Sequence, residues 1–540
     1  MSVNLSNKTI LVIEDNAVMR RSMRDMLYTL GAQTIYEAEN GIAAIDSMTK
    51  HQFDIVLCDF VLGSGKNGQQ ILEEAKFKNL ITYDTIFIIV SAHQSADFVL
   101  SSIENKPDEY IAKPFNPQQL IRRLEKSYQR KKFLSPIEKE IVNGNYARAI
   151  HHCDKSIEKG NKAFHSQLLK LRAELAIKVA DFQKAGTIYQ EILQQRELAW
   201  ARLGTGIIAF FQGQYELSIG IFEDLLVQNP MLMECYDWLT KSYEAVGLHE
   251  KAKDTLNQAT KISPQSLSRQ KKLAILAEKT GHLGEAEKAY LATAQLSEYS
   301  VHKTPSDFFG LAKIYSKKNL KMEALKTLED MRQQFTGNPE ADLRAATLET
   351  EIYQEIGNDK LSRQSFQKVK RLKKRLKGKT PIDLQLEIAK TYYLKEDPES
   401  ADKIISELIH SHIDDDNFID DIRQMHSDIG QNNHSEVLIQ QTKQELIHIN
   451  NQGVGLYKKG EFKQALSFFE KAIEEMPNNK TIILNMAKIR LHELKENGIT
   501  QETLLQTHHY IKRAEQVGIA VDKLGSLKIE FEKLTRTLPE

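Results

Sequence analysis

The sequence has little that would carry it across a membrane, staple it with disulfides or draw it onto a polyanion. In 540 residues there are three cysteines, Cys58, Cys153 and Cys235. They are too few and too scattered for a cross-linked scaffold or a four-thiolate metal site, which fits a reducing compartment. Nowhere does an apolar run approach the roughly 18 residues needed to span a bilayer, and Met1 to Lys8 lacks a basic-then-apolar leader pattern, so a cytoplasmic protein is expected. Lys plus Arg and Asp plus Glu number 73 each, so the whole-molecule field that drives non-specific binding to nucleic acid or anionic lipid is missing. Twelve prolines and 26 glycines are few for the length, which favours long helices, and the length itself calls for several folding units or a repeat array.

What is present falls into two styles. Up to about residue 130, short β-branched runs alternate with helical spacings: Thr9 to Glu14, Thr34 to Glu37, Ile55 to Asp59, Ile86 to Val90 and Tyr110 to Ala112 are strands. Helices follow them, with Val18, Met23, Leu27 and Leu30 on one face, then Ile42 to Met48, Ile71 to Phe77, Phe98 to Ile103 and Leu120 to Tyr128. Near-continuous apolar strands such as IFIIV predict a doubly wound, five-stranded parallel sheet covered by helices on both faces. In such a sheet the ligand site lies beyond the carboxyl ends of the strands. Those ends read Glu14 and Asp15, Asp59, Ser91, and Lys113 with Pro114. Three carboxylates converging on one rim repel one another unless a cation intervenes, and a hard divalent ion with oxygen ligands, Mg²⁺, answers that need. A carboxylate so placed is a nucleophile for a phosphoryl group, with a lysine and a hydroxyl to offset charge on the transferred oxygens.

With that inventory in hand, Lys8 to Ser127 resembles the receiver domain of bacterial two-component response regulators. The resemblance implies that Asp59 is the phosphoacceptor, that Glu14 and Asp15 hold the metal with Asp59 and the backbone carbonyl of Val61, and that Lys113 pairs with the phosphate before a cis peptide at Pro114. It also makes Ser91 the switch hydroxyl and Tyr110 the switch aromatic, with the fourth helix and fifth strand as the bistable element. His93 and Val61, two residues beyond Ser91 and Asp59, would flank the phosphate. One departure is Gly63, where the family commonly has proline, in a loop from Gly63 to Gly68 about one residue longer than usual. Cys58, inside a strand, reads as core.

After Phe133 no strand pattern returns. Gly213, Gly247 and Gly281 are 34 residues apart, each preceded at four residues by Ala209, Tyr243 or Ala277 and followed by a small residue (Ser218, Ala252, Ala286) and a large one (Phe222, Leu256, Tyr290). This helix-turn-helix period resembles the tetratricopeptide repeat. The frame recurs around Gly144, Phe182, Tyr315, Gly357, Tyr392 and Gly460, about nine units in all, while His412 to Ile449 is too degenerate to assign. The expected organisation is an α/β receiver over 1–130, an all-α repeat superhelix over 131–480 and capping helices over 481–540.

The resemblance implies a sensor histidine kinase or phosphotransfer protein as one partner, and a protein or peptide ligand on the repeats as another. A receiver-mediated dimer is compatible with it. Lys368 to Lys379 is a basic amphipathic helix with Val369, Leu372 and Leu376 on one face, and a transcription regulator reading DNA through Lys373, Lys374 and Arg375 is the alternative. Residues 1–127 carry 13 basic and 16 acidic side chains and the rest 60 and 57, an imbalance too small to make a polyanion-binding domain. Past residue 130 there is no phosphate loop, zinc spacing or triad motif, and the adjacent pairs His151–His152 and His508–His509 point to different helix faces, so no enzyme is expected.

Overall fold

The structure, a computed structural model, describes residues 4–92, 106–160, 162–376, 380–413, 415–477, 479–496, 500–519 and 521–535. The first part contains the strands β1 (Thr9–Ile13), β2 (Thr34–Ala38), β3 (Ile55–Asp59), β4 (Ile86–Ser91) and β5 (Glu109–Ala112). They form one parallel sheet in the order β2-β1-β3-β4-β5. Alternation decides which face each strand residue serves. Leu11, Ile13, Val56, Cys58, Phe87 and Ile89 pack on one side with Ala44 and Met48 of α2 (Gly41–Lys50) and Ile71 and Leu72 of α3 (Gly68–Phe77). Ile10, Val12, Ile55, Leu57, Ile88 and Val90 pack on the other with Met23 and Leu27 of α1 (Ala17–Thr29) and Leu120 and Leu124 of α4 (Pro117–Val142). Two apolar faces are why the strands read as unbroken hydrophobic runs. The expected helix at Phe98 to Ile103, and His93, lie outside the described residues.

The helix expected to end at Tyr128 is longer. It starts at a capping box between Asn116 and Gln119 with Pro117 in its first turn, and it runs on to Val142. Its second half leaves the sheet: Leu134 and Ile137 share a core with Ala149, Cys153, Leu168 and Leu175, against which Tyr83 also packs. The buried Lys131 donates to the carbonyl of Tyr83 at 2.7 Å and pairs with Asp108 at 2.9 Å. Residue 130 therefore falls inside a helix whose two halves serve different cores.

The remaining described chain is helical. It begins with α5 (Tyr146–Glu158), α6 (His165–Lys178), α7 (Phe182–Gln195), α8 (Ala199–Phe211), α9 (Tyr215–Gln228), α10 (Met233–Ala245), α11 (His249–Ile262), α12 (Leu267–Lys279), α13 (Leu283–Ser297) and α14 (Pro305–Lys317). Then follow α15 (Lys321–Gln334), α16 (Pro339–Glu355), α17 (Asp359–Leu376), α18 (Ile382–Leu394), α19 (Pro398–His412), α20 (Asp416–Asp428), α21 (Asn432–Lys458), α22 (Phe462–Glu475), α23 (Lys480–Glu496), α24 (Gln501–Gln516) and α25 (Val521–Thr535). By internal contacts the chain divides into two compact units: residues 1–175 with 188–210 and 214–314, and residues 176–187 with 211–213 and 315–540.

Between α8 and α13 the 34-residue frame has a direct physical basis. Gly213, Gly247 and Gly281 sit at φ of 74°, 74° and 78°, the left-handed turn that a side chain disfavours. The small residues Ser218, Ala252 and Ala286 are wholly buried, as is Phe222. A Cβ on Gly206 of α8 would stand 2.4 Å from the Phe222 ring, so an aromatic on one helix fills the gap opened by a missing side chain on the next. In the second unit the same left-handed turn occurs at Asn319, Gly357, Glu396, Gly430 and Gly460. The stretch from His412 to Ile449 thus contains a turn of the same kind, at Gly430, between α20 and α21. Its frame was obscured because α21 is one helix of 27 residues that packs on both α20 and α22.

Candidate functional site: an acidic rim at the strand ends

Parallel register brings the strand ends level: Ile13 lies opposite Ala38 and Cys58, Asp59 opposite Val90, and Ser91 opposite Ala112. Just beyond β1 the chain turns into α1, whose cap Asn16 accepts hydrogen bonds from the backbone of Val18 and Met19. That cap fixes Glu14 and Asp15 at the mouth of the turn. Carboxylate oxygens of Glu14, Asp15 and Asp59 lie within 4.8 Å of one another. Glu14 and Asp59 are buried, at 2% and 8% exposure, while Asp15 is exposed.

Lys113 reaches this cluster from the end of β5. Its Nζ donates to Glu14 Oε2 at 2.6 Å and to Asp59 Oδ2 at 2.9 Å, and its backbone N–H donates to the Ser91 carbonyl at 2.8 Å, tying β5 to β4. The Lys113–Pro114 peptide is cis, as the resemblance implied. Burial pushes the Glu14 carboxyl above its ordinary range and the neighbouring Asp59 charge pushes the same way, with Lys113 opposing both. For Lys113 burial alone would lower the pKa, but the ion pairs with Asp59 and Glu14 outweigh it and the ammonium is held more firmly than usual. Two buried carboxylates share one lysine, and a third carboxylate faces solvent beside them. An all-oxygen donor set with surplus negative charge, open on one side, fits a hard divalent cation.

The other sequence-derived residues fall around this rim. Ser91 is buried at the last position of β4. Tyr110 is half-buried in β5 opposite Ile89 and packs against the core of the α2–α3 face. Val61 is an exposed residue of the loop after β3. Gly63, at φ 63°, would bring a Cβ to 3.2 Å from Asp15 Oδ2, so this departure from the family pattern lies against the acidic pair. Cys58 is fully buried and burial pushes its thiol well up, which makes it core rather than a redox group.

Two side chains escaped the sequence reading. Arg20, in the first turn of α1, donates to the carbonyls of Glu14 at 2.7 Å and Asp15 at 3.3 Å and pairs with Glu37 at 3.3 Å, bracing the backbone of the acidic pair. The one sequence signal that could have found it is an arginine five residues after the second acid. Gln70 in α3 is the other: besides Asn67 it bonds Leu296, 226 residues away in sequence.

The basic helix α17 is divided in use. Val369 and Leu372 are buried, as expected. Lys370 lies 4.6 Å from the Phe366 ring centroid and pairs with Asp397 at 3.2 Å, and Lys373 lies 5.3 Å from the Tyr392 centroid with its pKa lowered by burial. Lys368, Arg371, Lys374 and Arg375 are exposed. No helix among the described residues is long and apolar enough to cross a membrane.

Comparison with known proteins identifies the domain types. Residues 10–125 match the family model of the response regulator receiver domain, and residues 449–479 that of the tetratricopeptide repeat. Chemotaxis protein CheY-3 of Vibrio cholerae is 26% identical over 124 residues, 23% of this chain and 94% of that protein. The phosphate regulon transcriptional regulatory protein PhoB of Escherichia coli is 30% identical over 135 residues, 25% of this chain and 56% of that protein. Among solved structures, the C-terminal part of a TPR repeat-containing protein from Cytophaga hutchinsonii aligns with 12% identity and a TM-score of 0.37, covering 44% of this chain and 95% of that one. The chain carries a response regulator receiver domain followed by an all-helical region that contains a tetratricopeptide repeat.

Proposed function

We propose that this protein is a two-component response regulator whose output is protein binding: a phosphoryl group placed on Asp59 alters what the repeat helices engage. The observation that carries the reading is the cluster of Glu14, Asp15 and Asp59 within 4.8 Å, with Lys113 bonded to two of them, in a chain whose other part is helical repeats. The organisation that goes with it is a receiver over 1–130, repeats over 131–480 and capping helices over 481–540, in the cytoplasm.

Asp59 supplies the nucleophile. Its carboxylate oxygen attacks the phosphorus of a phosphohistidine on a histidine kinase or phosphotransfer protein; the P–O bond forms as the P–N bond breaks, and the leaving imidazole nitrogen takes up a proton from solvent. Glu14, Asp15, Asp59 and the Val61 carbonyl are the residues that would hold Mg²⁺. The ion, when bound, offsets charge on the transferred oxygens. Lys113, already 2.9 Å from Asp59 Oδ2, is placed to pair with the new phosphoryl oxygens. Ser91 and Tyr110 are assigned the switch roles, because a group carrying about two negative charges needs a new hydroxyl donor and a neighbour that moves to let it in. Among the described residues of the repeats nothing resembles a catalytic constellation, and binding is the reading their architecture favours. DNA binding through α17 has no specific observation in its favour, since Lys370 and Lys373 are engaged by rings and Asp397.

The test compares affinity capture by the full chain with and without Mg²⁺ and beryllofluoride, and by Asp59→Asn. A partner whose recovery changes with beryllofluoride for the wild type and not for the variant supports the reading. Identical partner sets under all conditions contradict it.

A further inference from the structure

The receiver is joined to the repeats by α4 and meets them a second time, at α3. Gln70 is the pivotal residue. Its side-chain carbonyl accepts from the Asn67 backbone N–H at 3.1 Å, completing the capping box of α3, while its amide donates to the carbonyl of Leu296 in α13 at 3.1 Å. One turn on, Glu73 Oε2 accepts from the Ser300 hydroxyl at 3.0 Å, and its other oxygen lies 3.6 Å from His302 Nε2. Phe77, at the end of α3, meets the His302 ring edge-on at 5.5 Å. Three successive turns of α3 thus touch the α13–α14 connection.

That connection is itself held. Lys271 of α12 donates to the His302 carbonyl at 2.8 Å and pairs with Asp307 of α14 at 2.9 Å, and Thr304 N–H donates to Asp307 Oδ2 at 3.0 Å. The other end of α3 is held to the phosphoacceptor. Gly68, its first residue, donates its N–H to the Phe60 carbonyl at 2.9 Å, and a Cβ there would lie 2.4 Å from the Asp59 carbonyl oxygen. A cleft of about 640 Å³ opens beside the contact, lined among others by Glu73 and by Glu234, Asp237 and Arg269 from the first turns of α10 and α12. A ligand seated on those turns would meet α3.

We infer that α3 is the surface through which the receiver docks on its own repeats, and that phosphorylation of Asp59 loosens this contact through the α3 cap, widening the cleft onto the first turns of α10 and α12. This rests on Asp59 being the phosphoacceptor. It moves the output surface from β5 and the helix expected at Phe98 to Ile103 to α3. A phosphoryl group on Asp59 takes over Lys113 and draws donors from the loop after β3. Any displacement of that loop moves Asn67 against Gln70, whose other end is bonded to Leu296. Because coupling is reciprocal, breaking the contact also favours loading of Asp59.

The experiment is hydrogen exchange on the full chain, with Mg²⁺ and beryllofluoride as the probe, following amides of the loop after β3 and of residues 296–303. Two variants break the contact differently. Gln70→Glu keeps an acceptor for the Asn67 N–H but sets a carboxylate against the Leu296 carbonyl; Ser300→Ala removes only the hydroxyl bonded to Glu73. Beryllofluoride is expected to speed exchange at 296–303 by about 5-fold in the wild type and not in Asp59→Asn. Both variants exchange faster there without it, and reach half-saturation at about 5-fold lower beryllofluoride. If the loop after β3 responds while 296–303 does not, or if both variants load as the wild type does, the docking inference is overturned and the Asp59 reading stands. If the loop itself never responds, the Asp59 reading falls and takes the coupling with it.

Discussion

Gly68 packs so closely on Asp59 that a Cβ added to the glycine would stand 2.4 Å from the aspartate's backbone oxygen. In an open helix, Gly→Ala stabilises by about 1 kcal/mol. Here the contact is with backbone, which cannot swing away as a side-chain tip can. Gly68→Ala is therefore expected to destabilise the receiver by about 1–3 kcal/mol, read as a lower midpoint in urea unfolding followed by a probe in the sheet domain. A stabilised variant would show that α3 is not seated on the phosphoacceptor strand.

Magnesium is expected to stabilise the receiver by mass action, by up to about 2.7 kcal/mol at a hundredfold excess over its Kd. Asp15 is exposed and bears no core, so Asp15→Asn should leave the metal-free Tm near the wild-type value and remove most of the magnesium-dependent rise. An equal rise in both proteins would place the ion elsewhere.

The repeat turns make an internal comparison. Gly247 and Gly357 occupy the left-handed turn at φ of 74° and 75°, yet Glu396 sits in the same conformation at 57° and Asn319 at 61°. A side chain there is disfavoured by about 1–2 kcal/mol, and asparagine tolerates the region better than glutamate. Glu396→Gly should raise stability by up to about 1 kcal/mol after the extra backbone entropy of glycine is subtracted, and Asn319→Gly by less. Denaturant midpoints of the two variants decide it.

His426 gives the helical region a pH dependence. It is completely buried, its Nδ1 bonded to the Ile422 carbonyl at 2.9 Å and its Nε2 lying 3.2 Å from the Tyr393 hydroxyl, with His434 and Asp402 joined at 2.7 Å beside it. Burial holds its pKa below the usual 6.5, and His412 is shifted the same way by the same cause. The unfolded chain takes up these protons first as pH falls through about 6.5, so the stabilisation is full above that value and is lost below it. Each such proton lowers stability by about 1.4 kcal/mol per pH unit over the window in which only the unfolded chain binds it. Thermal unfolding from pH 7.5 to 5 should show the fall, and His426→Gln should flatten it.

Much of this was legible in the sequence, for definite reasons. The site residues are the terminal residues of strands, and strand ends show wherever a β-branched run stops, as at Glu14, Asp59 and Ser91. The repeats showed where glycine marks the left-handed turn, as at Gly213 and Gly247, and faded at Asn319 and Glu396, where the same turn carries a side chain. The extension of α4 past Tyr128 was missed because Pro136 lies within it, and proline ordinarily ends a helix. The bond from Gln70 to Leu296 joins residues 226 apart, and no local pattern announces a contact at that range.

Asp59 is proposed as the acceptor of a phosphoryl group. Incubation of the full chain with a radiolabelled small-molecule phosphoryl donor and Mg²⁺, followed by peptide mapping, tests this directly. The expected result is one hydroxylamine-labile label on the peptide containing Asp59, lost on chelation of the metal and absent from Asp59→Asn. Label that persists in Asp59→Asn, or that maps to another residue, would contradict it.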